Sequence, residues 1–337
     1  MKPILRRFVR WIGFFLLAIA ILLIGLWCSI AIWYRYPGGE AVRGLLAAAT
    51  LAFAVVVVAC LATPRRWLAL AVYAASFALF LAWWTTITPT NDRNWTPDVA
   101  RTVTATIDGD RLVVKNVRNF TWRSDTDFDE RWEQRTYNLS HVHDVDLIMS
   151  YWAGEAIAHT IVSFGFDDGA RLAFSIETRK EIGEGYSSVA GFFKQFELAV
   201  VAADERDVVR VRSNVRGEDV RIYRLRMTPK NAQVLLREYV EEANDLARTP
   251  RFYNTLTANC TNLVFDMVRV IHPSVPMDVR VLFSGYLPNY AYELGATDTS
   301  LSFEKLRELS KINDKAAQAD ADPNFSARIR EGIPIPR

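Results

Sequence analysis

Arg251-Phe-Tyr-Asn-Thr-Leu-Thr-Ala-Asn-Cys-Thr-Asn-Leu-Val-Phe-Asp266 places a cysteine where a loop gives way to a helix. Thr257 and Asn259 are both suitable N-caps. Leu263, Val264, Met267, Val268 and Ile271 recur at helical spacing, which predicts a helix with one apolar face. A thiol in the first turn of such a helix lies near the positive end of its dipole, and this favours the thiolate. Thiolate chemistry also needs a base. The chain has four histidines, and His159 stands on a strand-like apolar run about a hundred residues upstream. The expectation is that Cys260 and His159 meet.

The run that carries His159, Ala156–Phe166, is followed by Asp167-Asp168-Gly169 and a second run, Ala170–Thr178. Asp-Gly between two apolar runs is a hairpin signal. Pairing about a short turn puts Glu177 or Thr178 opposite His159. A carboxylate there would accept from one ring nitrogen and leave the other as base, so Glu177 is the expected orienting residue. Pairing of Glu177 with Arg179 or Lys180 on the surface is the competing reading. Cys260 has its own competing reading as a small buried hydrophobe. The backbone N–H of Cys260 and the Asn259 side chain are the expected oxyanion donors. His141-Val-His143-Asp144 resembles part of a metal site, but no fourth ligand is evident and no metal is expected. His272 before Pro273 reads as a helix-end cation. The chain carries neither a Gly-rich phosphate loop nor a G-x-S-x-G elbow, and no cofactor is expected.

Residues 1–87 hold three long apolar runs, Trp11–Trp33, Val42–Leu61 and Trp67–Ile87. Each suffices to cross a hydrocarbon layer, which takes about 20 helical residues. Trp and Tyr cluster at the run ends, where interfacial aromatics belong. Lys2, Arg6, Arg7 and Arg10 precede the first run, and Arg65 and Arg66 separate the second from the third. The positive-inside rule therefore puts the N-terminus in the cytoplasm and everything after about residue 88 on the other side, the periplasm in a bacterium. The 337 residues hold 40 Lys and Arg against 38 Asp and Glu, but eight of the bases lie in residues 1–87. The remainder is mildly acidic, which speaks against a nucleic-acid surface. Cys260 is the one cysteine outside the apolar runs, so an exported domain would have no internal disulfide.

Beyond the anchor, residues 88–100 read as a linker. Thr102–Ile107 and Arg111–Val117 flank Asp108-Gly-Asp110 as a hairpin, and Val145–Trp152 reads as a strand. Residues 120–133 are loop or short helix. Ser187–Val201 is expected to be helical. Val208–Arg212 and Val220–Leu225 alternate as strands do. Thr228-Pro229 starts a helix to about Ala247, and Phe303–Ile312 makes a last short helix. The tail, 316–337, reads as flexible. The pattern is α+β, with an anchor (1–87), a linker (88–100), a main domain (101–315) and that tail.

Three stretches carry a resemblance: Ile157-Ala-His-Thr-Ile-Val-Ser-Phe-Gly-Phe166, Ser175-Ile-Glu-Thr-Arg-Lys180 and Tyr253-Asn-Thr-Leu-Thr-Ala-Asn-Cys-Thr-Asn262. With Phe193-Lys-Gln-Phe and Glu205-Arg-Asp-Val-Val-Arg-Val-Arg between them, they resemble the Lnb N-terminal periplasmic domain family of bacterial envelope proteins over roughly residues 115–315. The resemblance implies a circularly permuted papain-like fold of the NlpC/P60 type, with antiparallel sheet and packed helices, in which the histidine strand precedes the cysteine helix. It implies Cys260 as nucleophile and His159 as base. Its namesake is an N-acyltransferase that moves an acyl chain from phospholipid to the N-terminal amine of a lipoprotein. The implied protein is a multi-pass inner-membrane acyltransferase with a phospholipid donor and a lipoprotein or other amine acceptor. A cysteine amidase or peptidase of the envelope, or a non-catalytic scaffold, are the alternatives.

Overall fold

Long, mostly uncharged apolar runs satisfy their backbone in a lipid-like medium by forming helix, and the computed structural model folds all three that way. It describes residues 3–336. Lys2 and Arg337 lie outside the described residues, as does the Arg6 side chain. Helix α1 is Pro3–Arg35, α2 is Glu40–Cys60 and α3 is Arg66–Thr86. All three are long and apolar enough to cross a membrane. Helices α1 and α2 touch where both carry small residues. A Cβ on Gly25 would fall 2.5 Å from that of Ala54, so a larger residue would force the pair apart. Polar side chains close the rest of the packing: Ser29 Oγ donates to Ala47 O at 2.8 Å and Tyr73 Oη to Ile21 O at 2.7 Å. Residues Ser187–Gln195 belong to this helical unit although they lie far along the chain.

The second unit holds Thr90–Tyr186 and the chain from Phe196 onward. Its strands are β1 (Thr104–Asp108), β2 (Arg111–Arg118), β3 (Thr121–Trp122), β4 (Phe128–Asp129), β5 (Trp132–Asn138), β6 (Val142–Tyr151), β7 (Ala158–Phe166), β8 (Arg171–Arg179), β9 (Glu197–Ala203) and β10 (Asp219–Arg224). Its helices are α4 (Glu205–Val208), α5 (Pro229–Arg248), α6 (Cys260–Ile271), α7 (Leu287–Glu293), α8 (Phe303–Leu309), α9 (Asn313–Gln318) and α10 (Phe325–Arg328). Seven strands follow the order β1-β2-β9-β8-β7-β6-β10, β5 pairs with β2, and β3 and β4 form a separate small ribbon. The run β9-β8-β7-β6-β10 is antiparallel throughout, and the one parallel contact is Arg118 with Ala203. The fold is therefore mixed α+β with an antiparallel-rich sheet.

Alternation along the strands gives the sheet two apolar faces. On one, α5 lays down Leu235, Leu236, Tyr239 and Ala243, and Tyr239 packs on Phe164 and Phe174 with ring centroids 5.8 and 5.0 Å away. Thr228 caps that helix by accepting from Asn231 N, and Pro229 fills its first turn. On the other face, Ile148, Ile161, Ala173, Val201 and Ile222 meet Val208, Val209 and three C-terminal residues, Phe325, Ile329 and Ile333.

Several expectations are corrected. The tail is not flexible: Phe325 and Ile329 are fully buried, and the Arg330 guanidinium lies against Asp146 and Glu205. The tail looks solvated in isolation, but the sheet face offers apolar surface that Phe325, Ile329 and Ile333 help to cover. The linker, 88–100, is strapped down. Asn91 donates to Leu246 O and Ala247 O, and Trp95 is buried beneath Arg179. Residues 120–133 form the β3–β4 ribbon rather than a helix. Ser187–Val201 is a single 3₁₀ turn at Ala190–Phe192 followed by β9. Val208–Arg212 is not a strand. Asp204 caps α4 by accepting from Arg206 N, and the chain continues into a π-helical turn at Val211–Val215.

Candidate active site

Strands β7 and β8 pair in the register Ile161 with Ser175 and Gly165 with Arg171. Extending it by two residues sets Glu177 opposite His159, and their side chains meet: His159 Nε2 lies 3.2 Å from Glu177 Oε1. Ser175 and Glu177 share a face of β8. Ser175 Oγ sits 2.6 Å from His159 Nε2 and donates to Glu177 Oε1 at 2.6 Å. With Nε2 so engaged, Nδ1 is the nitrogen left for a thiol. Gly165 holds the hairpin closed at its far end, because any Cβ there would strike Asp144 and the Arg171 guanidinium.

The thiol arrives on α6. Asn259 caps that helix, its Oδ1 accepting from Thr261 N at 2.8 Å and Asn262 N at 2.9 Å. The Cys260 sulfur lies 3.8 Å from Thr261 Oγ1, and it is near enough to the His159 side chain and the Thr160 backbone for both to act on its ionisation. Burial opposes a thiolate, but the His159 bond and charge and the Thr160 N–H outweigh it, so the Cys260 pKa is lowered. Burial and Arg212 oppose an imidazolium, but Glu177 and Cys260 outweigh them, and the His159 pKa is raised. The two shifts together favour a thiolate–imidazolium pair. Burial likewise opposes charge on Glu177, yet His159 and Arg212 hold its carboxyl well below the usual range.

Three features went unread in the sequence. Arg212 Nη2 donates to Glu177 Oε1 at 3.0 Å, and its other terminal nitrogen faces Glu218 at 3.5 Å. Glu218 in turn accepts from Ser150 Oγ on β6. A polar chain thus runs from His159 across the sheet. The signal for Arg212 was present as a basic residue among valines, but a strand reading pointed it elsewhere. The signal for Ser175 was its i, i+2 spacing from Glu177. The third is Ser284-Gly285. Ser284 Oγ donates to Ala158 O at 2.6 Å and accepts from Ala158 N at 3.0 Å, one residue before His159. Gly285 packs so closely on the chain that a Cβ would lie 2.0 Å from Glu155 O.

Asn259 is the N-cap of α6, one of the two caps the sequence offered. Its oxygen is the helix cap and its Nδ2 donates to Thr255 O at 2.8 Å, so it positions Cys260. His143 Nδ1 faces Gly165 O at 3.0 Å, and Asp144 is tied to Arg171. Among the described residues no three His, Cys, Asp or Glu side chains converge as metal ligands. His272 closes α6 as its C-cap. The rings of Tyr253 and Tyr239 lie near enough to Cys260 to feel its charge. Burial first, and then a thiolate at Cys260 and the Tyr186 hydrogen bond, push the Tyr253 pKa upward. Tyr186 packs edge-on to Trp152 at 5.7 Å, and both rings are exposed.

The family comparison matches residues 128–285 to the Lnb N-terminal periplasmic domain. Those residues are similar to the Lnb N-terminal periplasmic domain family. The matched Lnb segment contains His159, Ser175, Glu177, Arg212, Glu218, Cys260 and Ser284, so the whole polar chain lies within it. The three apolar helices precede the Lnb domain, and the chain thereby combines membrane-type helices with a periplasmic-domain family. No curated protein and no solved structure matches the chain.

Proposed function

We propose that this protein is an acyltransferase of the bacterial inner membrane that works through a thioester on Cys260. The observation that carries the reading is a His159 ring held by Ser175 and Glu177, near enough to Cys260 that the thiol pKa is lowered and the imidazole pKa raised. The order of histidine strand, carboxylate strand and cysteine helix is that of circularly permuted papain-like enzymes. The N-terminus would be cytoplasmic and the Lnb domain periplasmic, as Arg7, Arg10, Arg65 and Arg66 favour.

In the first step the thiolate attacks the ester carbonyl of a phospholipid. A sulfur–carbon bond forms, the ester carbon–oxygen bond breaks, and His159 passes its proton to the departing lysophospholipid hydroxyl. The Cys260 N–H bonds the transient oxyanion, a contribution of about 3 kcal/mol. In the second step an amine, as on a lipoprotein N-terminus, attacks the thioester. The amide forms, the thiolate leaves, and His159 takes the amine's proton. Trp152 and Tyr186 supply apolar surface suited to an acyl chain.

The test is transfer from an acyl-labelled phospholipid to a lipopeptide amine by the full-length protein in detergent. Wild type should yield labelled amide, and Cys260→Ala should lose at least ~10³-fold of the rate. Full activity in Cys260→Ala sinks the reading. Turnover of muropeptides with no lipid present would point to an envelope amidase instead.

A further inference from the structure

Helices α1 and α3 are joined through one antiparallel helix, so their C-terminal ends lie at the same end of the helical unit. An aromatic cluster marks that end. Trp27 packs on Phe80 and Trp84, both at 5.3 Å, and Phe80 stacks on Trp84 at 6.2 Å. Rings of this kind gather at the boundary between hydrocarbon and headgroups. The segment Ser187-Ser-Val-Ala-Gly-Phe-Phe-Lys-Gln195, which links β8 to β9, is built into the cluster as part of the same unit.

Phe193 and Lys194 take part in the attachment. Phe193 is buried, stacked on Tyr34 at 5.9 Å and tilted against Trp27 at 6.4 Å. Lys194 takes a left-handed backbone conformation, φ 57°, which turns its side chain to the end of α3. There Nζ donates to Trp84 O at 2.9 Å and Ile87 O at 3.2 Å, above the Trp84 ring at 4.8 Å. The last carbonyls of a helix need donors, and a cation at that end complements the dipole. Lys194 is the segment's only charged residue, and α3 engages it. The outward side is therefore uncharged and carries two large apolar side chains: Val189 is 51 % exposed and Phe192 45 % exposed, beside an exposed Ser188, while the adjacent Phe193 is buried.

We propose that the 187–195 segment is a membrane-interface element, with Val189 and Phe192 inserted among phospholipid acyl chains beside the C-terminal ends of α1 and α3. It rests on the membrane placement given above and not on chemistry at Cys260. Three features select lipid as the occupant: continuity with helices that must face lipid, an aromatic cluster at the same level, and an outward face without charge.

The test uses the full-length Cys260→Ala protein in phospholipid nanodiscs, with the photo-crosslinker p-benzoylphenylalanine placed singly at Leu79, Phe192, Val189 or Lys230. Leu79 is 73 % exposed in the middle of α3 and reports the membrane placement itself, whereas Lys230 is exposed on α5. Intact mass after irradiation should show a phospholipid adduct at Leu79, and at Phe192 or Val189 at no less than a third of its yield, with none at Lys230. Adducts at Leu79 but at neither loop position overturn the proposal while leaving the spans intact. No adduct at Leu79 overturns the membrane placement and the proposal with it. Because Cys260 is absent, neither result depends on acyl transfer.

Discussion

Glu177 meets His159 because a tight hairpin pairs its strands symmetrically, and that symmetry could be read from Asp167-Asp168-Gly169 alone. Arg212 was not legible, because its contact with Glu177 depends on a helical turn that valine–arginine alternation disguises as a strand. The shifts at the site make a prediction about pH. Alkylation of Cys260 by iodoacetamide, followed by peptide mass spectrometry, should reach half its maximal rate below the ordinary thiol value of 9.0. In Glu177→Gln the imidazolium loses the carboxylate that holds its proton, so the midpoint should climb, and transfer should fall by roughly 10²-fold or more. An unchanged midpoint would mean that Glu177 does not act on the pair. Arg212→Met should leave Glu177 and Glu218 facing each other across a vacant cation position. The expected cost is about 3 kcal/mol in denaturant unfolding.

At the scale of elements, the site depends on how two of them are held. Helix α6 was legible from its apolar spacing, and its cap from an asparagine before a cysteine. That the same asparagine also donates to Thr255 O was not legible, since the sequence does not reveal which hydrogen bonds a side chain has made. Asn259→Ala should cost about 1 kcal/mol of stability and loosen the placement of Cys260. Its thiol midpoint should shift upward with the lost geometry. The other element is the turn at Ser284–Tyr286. No sequence signal connects residues 284 and 158, because tertiary pairing across more than a hundred residues leaves no local pattern. Gly285→Ala must push Glu155 away and drag Ser284 from Ala158. We expect a loss of 1–3 kcal/mol and a lower turnover rate, measured by thermal unfolding and the transfer assay.

For the whole molecule, the membrane helices were the most legible part, since an uninterrupted apolar run has few other fates. The tail was the least, because its three apolar residues only make sense against a sheet face that does not exist until the strands assemble. Arg330 adds a buried ion network to that packing, shared with Asp146, Glu205, Arg171 and Arg224. Burial raises the Asp146 pKa, but Arg330, Arg171 and Arg224 overcome it and hold the carboxyl at about 2. A depressed carboxylate contributes stability that is fully present above its unfolded value of 3.8 and is lost as pH falls toward 2, about 2 kcal/mol in all. Arg330→Met should therefore unfold more easily at neutral pH, by roughly 3–5 kcal/mol, and lose part of the wild type's extra sensitivity to acid. Urea unfolding at pH 7 and pH 3 checks both. The most direct test of the central claim is intact-mass spectrometry of the full-length protein after incubation with phospholipid. The account predicts a gain of one acyl chain on the wild type that hydroxylamine removes and that Cys260→Ala never shows. An acyl adduct of equal yield on Cys260→Ala, or one on the wild type that resists hydroxylamine, would contradict it.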